Sequence, residues 1–195
     1  MKTYYERRAR EYDDWYLGTG RFADRDRPGW EREVHGLIAA LEELPPARTL
    51  DIACGTGFLT RHLPGEVVGL DQSESMLEGA RRQAPNATFV QGDALALPFP
   101  DAAFERIFTA HFYGHLEGED REAFLHETRR VAHEIVVVDS ALRAEVEPEE
   151  RQERILNDGS RWEVYKRYFT PDGLADELGG GKTVFAGRWF VAVRS

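Results

Sequence analysis

From residue 48 onward, short aliphatic runs alternate with segments of helical spacing, and this alternation fixes the class of fold. The runs are "RTLDIA", "EVVGLD", "ATFVQGD", "FERIFTA" and "EIVVVDSA". Their Val, Ile and Leu residues are largely contiguous, as in strands covered on both faces. Between them "GFLTRHL", "SESMLEGARRQA" and "EDREAFLHETRRVA" read as helices, the second with Ser73 as its N-cap. Strand–helix–strand repetition calls for an α/β fold: a doubly wound parallel sheet with helices on both faces. Further on, "TPDGLADEL" predicts a helix with Thr170 as N-cap and Pro171 in its first turn. The final "KTVFAGRWFVAVRS" predicts two strands joined near Gly187 and Arg188, a terminal antiparallel hairpin that brings the sheet to seven strands.

Two segments stand outside the alternation. Residues 1–45 read as an N-terminal helical cap on a core of residues 46–195. Within the cap, "GWEREVHGLIAALEEL" places Val34, Leu37, Ile38, Leu41 and Leu44 on one helical face, closed by Pro45 and Pro46. The stretch from residue 143 to 168, "RAEVEPEERQERILNDGSRWEVYKRY", is polar and reads as helix with a loop, an insertion expected to set specificity.

The 195 residues suit one domain with a small cap. Twenty-five basic against 35 acidic residues leave a net charge of −10, which repels phosphate backbones and argues against nucleic acid as partner. Cys54 is the single cysteine, so no intramolecular disulfide can form, as suits a reducing cytoplasm. No apolar run reaches the ~18 residues of a membrane helix, and "MKTYYERRAREYDDWY" is too polar for a secretory signal. The expected location is the cytoplasm, without membrane insertion.

The chemistry concentrates in "TLDIACGTGFLT". Open sheets of this kind bind ligands at the carboxyl ends of their strands, where this turn lies. Gly55 and Gly57 let backbone approach a ligand closely. A P-loop pattern is absent. The dinucleotide pattern G-x-G-x-x-G fails at its third glycine, occupied by Thr60, and Asp51 behind the turn would repel a pyrophosphate. S-adenosylmethionine carries no phosphate, and its ammonium would favour Asp51. Asp71 ends the second strand, where a carboxylate can accept from both ribose hydroxyls. Asp93 follows the third strand and can accept from the adenine amino group.

"LDIACGTGFLT", "VVGLDQSESML" and "FVQGDALALPFPDAAFERIFTAHFYGHL" together resemble the class I S-adenosylmethionine-dependent methyltransferases, in the small-molecule branch that includes quinone-biosynthesis enzymes. The resemblance runs from about residue 45 to residue 142 and implies a Rossmann-like seven-stranded fold. It implies that Ala53, Gly55, Thr56 and Gly57 cradle the methionine moiety, with Asp51 facing its ammonium through water. Asp71 would hold the ribose, with Gln72 and Met76 flanking the adenine and Asp93 with Ala94 at its edge. Ala110 and His111 would line the transfer side. Tyr12, in a segment similar to the family's leading helix, would close the pocket.

His111 is the candidate catalytic residue, since a histidine there could take the acceptor's proton. Its spacing of four from His115 invites a metal, but no third ligand is near and no metal is expected. Cys54 reads as a small buried residue, and Tyr4, Tyr5, Tyr12, Trp15 and Tyr16 fit a pocket wall or a packing face equally. The expected activity is direct in-line methyl transfer to a small-molecule acceptor. Rival readings are an RNA or protein methyltransferase, a cofactor-binding protein without transfer activity and, more distantly, a dehydrogenase.

Overall fold

Seven strands form one sheet, and two more form a separate antiparallel hairpin. The computed structural model describes residues 2–195. In chain order the elements are α1 (Lys2–Arg8), α2 (Asp14–Leu17), α3 (Trp30–Glu42), β1 (Ala47–Ile52), β2 (Gly65–Asp71), α4 (Glu74–Gln83), β3 (Thr88–Gln91), β4 (Arg106–Ala110), α5 (Gly118–Val131), β5 (Glu134–Ser140), β6 (Glu149–Ile155), β7 (Arg161–Arg167), α6 (Pro171–Leu178), β8 (Lys182–Ala186) and β9 (Phe190–Arg194).

The first five strands run parallel. The terminal hairpin then folds back: β9 pairs antiparallel with β5, and β8 forms the edge. Both faces of the central strands β1, β4, β5 and β9 are buried, so alternate residues serve different layers. Ile107, Val137, Val191 and Val193 pack with Phe124 and Val131 of α5 and Leu174 and Leu178 of α6. Phe108, Val136, Val138, Phe190 and Ala192 pack with Leu37 and Leu41 of α3 and with Trp30 and Tyr16. The chain moves outward from β1 in one direction through β2 and β3, and in the other through β4 and β5. This reversal opens a crevice at the carboxyl ends of β1 and β4.

Two local expectations are corrected. Residues 149–167 form the antiparallel hairpin β6–β7 rather than a helix. Its turn is Asn157-Asp158-Gly159, with Gly159 at φ +80°, a strong hairpin signal. Beyond it Trp162, Val164, Lys166 and Tyr168 alternate inward with period two. "GFLTRHL" is not a regular helix but a turn with one 3₁₀ stretch, Thr60–His62. Gly57 in the left-handed region and Pro64 leave too little chain between them for more. The other predicted helices and all seven sheet strands are present, and Ser73 and Thr170 cap their helices as expected.

Leu41 is fully buried where α3 meets the sheet. Leu41→Ala should lower the free energy of unfolding by about 2–5 kcal/mol. Denaturant titration reads the loss; a change below about 0.5 kcal/mol would contradict this packing.

Candidate functional site

A cavity of about 300 Å³ lies at the carboxyl ends of β1, β2 and β4. It is bordered by Tyr12, Ala53, Gly55, Asp71, Gln72, Met76, Asp93, Ala94, Ala110 and His111, ten of the thirteen residues proposed from sequence. No arginine or lysine borders it among the described residues.

Asp71 is the structural centre of this wall. Its Oδ2 accepts from the Gly55 amide at 3.0 Å and its Oδ1 from the Ser73 amide at 2.9 Å. Burial raises its pKa, while those amides work in the opposite direction. Each oxygen retains a further lone pair for a ligand donor. The N-cap of α4 is Ser73, which accepts from the Met76 amide. Asp71 therefore ties the glycine turn to the start of α4 without itself capping the helix. Asp93 is exposed, and its Oδ1 accepts from the Leu95 amide at 2.9 Å.

Three sequence candidates lie behind the cavity wall. Thr56 donates its hydroxyl to Asp13, which also accepts from Gln83. Gly57 sits beneath α4, where an added Cβ would come within 3.0 Å of the Ala80 Cα. Both shape the turn without facing the cavity. Asp51 borders a small recess of about 10 Å³ that shares Tyr12, Ala53 and Ala110 with the main cavity, about the space of a single water. It accepts from the Thr60 hydroxyl at 2.6 Å, and burial pushes its carboxyl up to about 8.

Ala53 and His111 adopt φ of +58° and +53°, in the left-handed region that side chains rarely occupy. They follow β1 and β4, so this strain lies on either side of the crevice. His111 is buried, and neither ring nitrogen has a hydrogen-bond partner. Burial lowers its pKa to about 3, so the ring is neutral. Its Nδ1 is 3.9 Å from Asp139 Oδ1, and Trp15 meets the ring edge-on at 4.7 Å. Asp139 pairs with the buried Lys166 and accepts from the Gly114 amide at 2.8 Å. Burial favours its neutral form, but Lys166 overrides this and holds its carboxyl below the usual range. His115 donates from Nδ1 to the Tyr165 carbonyl, and burial lowers its pKa to about 3. Cys54 is partly buried, and desolvation pushes its thiol well up, so it is no ready nucleophile. No group of three or more His, Cys, Asp or Glu is placed to hold a metal among the described residues.

Sequence reasoning missed Asp139, although it ends a hydrophobic run as Asp71 does. It also missed Lys166 and the arginines of the cap and hairpin, which reach the site only through tertiary packing. Glu6 accepts from the Glu74 and Ser75 amides, fastening α1 over α4. Tyr4 packs with Leu156 and Val164, joining the cap to the β6–β7 hairpin. No helix among the described residues is long and apolar enough to cross a membrane.

Residues 49–134 match the family model described as "Methyltransferase domain". The demethylmenaquinone methyltransferase of Thermotoga maritima is 39% identical over 107 residues, covering 52% of this chain and 44% of that protein. The corresponding enzyme of Thermus thermophilus is 43% identical over 111 residues, covering 52% and 48%. The chain thus spans about half the length of these curated relatives. Among solved structures, the DhpI–SAH complex superposes with a TM-score of 0.74 at 26% identity, covering 98% of this chain and 92% of that one.

The Asp51 carboxyl binds its proton more tightly folded than unfolded. Ionising it therefore costs stability, from nothing below about pH 4 to the full amount above about pH 8. Asp51→Asn keeps an acceptor for Thr60 and removes that cost. Ligand-free Asp51→Asn should gain on the parent as pH rises from about 5 to 8, by a few kcal/mol. A stability difference independent of pH would contradict the assignment.

Proposed function

We propose that this chain, a class I S-adenosylmethionine-dependent methyltransferase by its fold and by the sequence of its core, transfers the cofactor's methyl group to a small-molecule acceptor by in-line displacement. The observation that carries the reading is the cavity's polarity. Asp71 and Asp93 border it, Asp51 lies just behind, and no arginine or lysine among the described residues lines it. A dinucleotide's pyrophosphate would face carboxylates there. A ligand with ribose hydroxyls, an amino group and a cationic end finds acceptors instead.

Bound there, S-adenosylmethionine supplies a methyl group on a sulfonium. Asp71 accepts from the ribose, Gln72 and Met76 flank the adenine, and Asp93 with Ala94 takes its edge. Ala53 and Gly55 bear on the methionine part, with Thr56 and Gly57 holding the turn in shape. An ammonium across the water-sized recess would favour ionised Asp51, offsetting the burial that holds its proton in the ligand-free protein. Tyr12, packed 3.4 Å from where a Gly55 Cβ would stand, closes the cavity and excludes water. Ala110 and His111 line the transfer side. His111 is the base assigned to the acceptor's proton, and the nearby Asp139 carboxylate offsets part of the burial that disfavours its imidazolium.

The cap, residues 1–45, and the segment 143–168 form the acceptor's entry and set its identity. A small-molecule acceptor suits the net charge of −10 better than RNA does, and a single cysteine suits work in the cytoplasm. Transfer of labelled methyl to small acceptors separates this reading from a cofactor-binding protein without activity.

S-adenosylhomocysteine at ~100 times its dissociation constant should raise the unfolding midpoint by roughly 5–11 °C. Asp71→Asn should abolish that rise, and NAD should give none. A shift with NAD alone would return the glycine turn to the dehydrogenases.

A further inference from the structure

Beside the cofactor cavity lies a second, smaller recess that shares Tyr5, Tyr12, His111 and His115 with it. Its far wall is cationic. Arg8 of α1 and Arg154 of β6 line it, and both also border a cleft of about 450 Å³ between cap and hairpin, where Arg21 and Arg25 stand. We propose that the methyl acceptor carries an oxyanion, carboxylate or phosphoryl, and that Arg8 and Arg154 form the subsite that holds it beside His111. This rests on the reading of the cavity of about 300 Å³ at the strand ends as the cofactor site.

Among the described residues neither arginine has a carboxylate partner within salt-bridge distance, whereas many other arginines of the chain do. Arg154 Nε is buried without a hydrogen-bond partner. Arg8 donates to the Tyr4 hydroxyl and otherwise lies over the Tyr4 and Tyr12 rings. The nearby acids are committed elsewhere. Glu11 accepts from the Asn157 amide at 2.8 Å, Asp14 from the Thr19 hydroxyl at 2.7 Å, and Glu153 pairs with Arg161 at 2.7 Å. Asp139 is taken by Lys166.

Both arginines are half-buried, and desolvating a guanidinium without a counter-charge is costly unless an anion completes the site. Burial first, and the charge of Arg8 second, disfavour the protonated form of Arg154, a penalty that a bound oxyanion would relieve. A guanidinium's planar donors match carboxylate and phosphoryl oxygens. A cationic wall thus stands across His111 and His115 from the carboxylates of the cofactor cavity.

The test follows the unfolding midpoint of protein saturated with S-adenosylhomocysteine. Phenyl phosphate and benzoate are titrated against phenol and benzamide at constant ionic strength. The anions should raise the midpoint saturably and their neutral counterparts should not. Arg154→Gln should weaken anion binding about tenfold or more, Arg154→Lys should recover part of it, and S-adenosylhomocysteine affinity should stay within about twofold. Equal effects of anions and neutral compounds would overturn the proposal, as would undiminished anion binding by Arg154→Gln. Loss of S-adenosylhomocysteine affinity in Arg154→Gln would instead assign the arginine to the cofactor's own carboxylate. If the parent fails to bind S-adenosylhomocysteine, the cofactor reading falls, and the same titrations on ligand-free protein still decide the arginine pair.

Discussion

One carboxylate holds the crevice in shape. Asp71, at the end of β2, accepts the Gly55 amide from the turn after β1 and the Ser73 amide at the start of α4. A buried carboxylate needs such donors, because desolvation penalises its charge. The turn needs the carboxylate in return, because the Gly55 amide would otherwise be buried unpaired. The mutual dependence fixes the glycine turn relative to the second strand before any ligand arrives. Preorganisation of this kind lets remaining lone pairs act on a ligand without rearrangement.

The rest of the site divides into regions of opposite charge. Carboxylates gather at the ends of β1, β2 and β3, and the guanidinium groups of Arg8 and Arg154 line the smaller recess beside them. Neutral His111 and His115 border both regions, with the Asp139–Lys166 pair next to them. The roof is fastened at several points. Glu6 sits on the first amides of α4, Asp13 on Thr56 and Gln83, and Tyr4 on Leu156 and Val164 of the hairpin. Elements outside the sheet therefore bear on the same space as the strand ends. A small molecule entering between them would meet arginines on one side and carboxylates on the other.

The sheet was legible in sequence because strands buried on both faces must be nearly continuous aliphatic runs, as "EIVVVDSA" is. Asp71 was legible because it ends such a run, and Asp93 because it lies two residues past the third strand. The β6–β7 hairpin was not, because its strands are rich in Glu and Arg and its inward residues include Lys166 and polar-tipped aromatics. Period two is hard to see when the buried face is itself polar. The Asn-Asp-Gly turn was the available signal. Thr56 and Gly57 belong to the motif yet face Asp13 and α4, a distinction that depends on where the cap lands. Arg8 and Arg154 are separated by most of the chain, and only the packing of the cap on the hairpin brings them together.

The most direct measurement is a crystal structure of the protein with S-adenosylhomocysteine. The account predicts the ribose hydroxyls on the Asp71 carboxylate, the adenine edge at Asp93 and the sulfur toward Ala110 and His111. A nucleoside bound with its ribose away from Asp71, or an anionic group seated against the glycine turn, would contradict it.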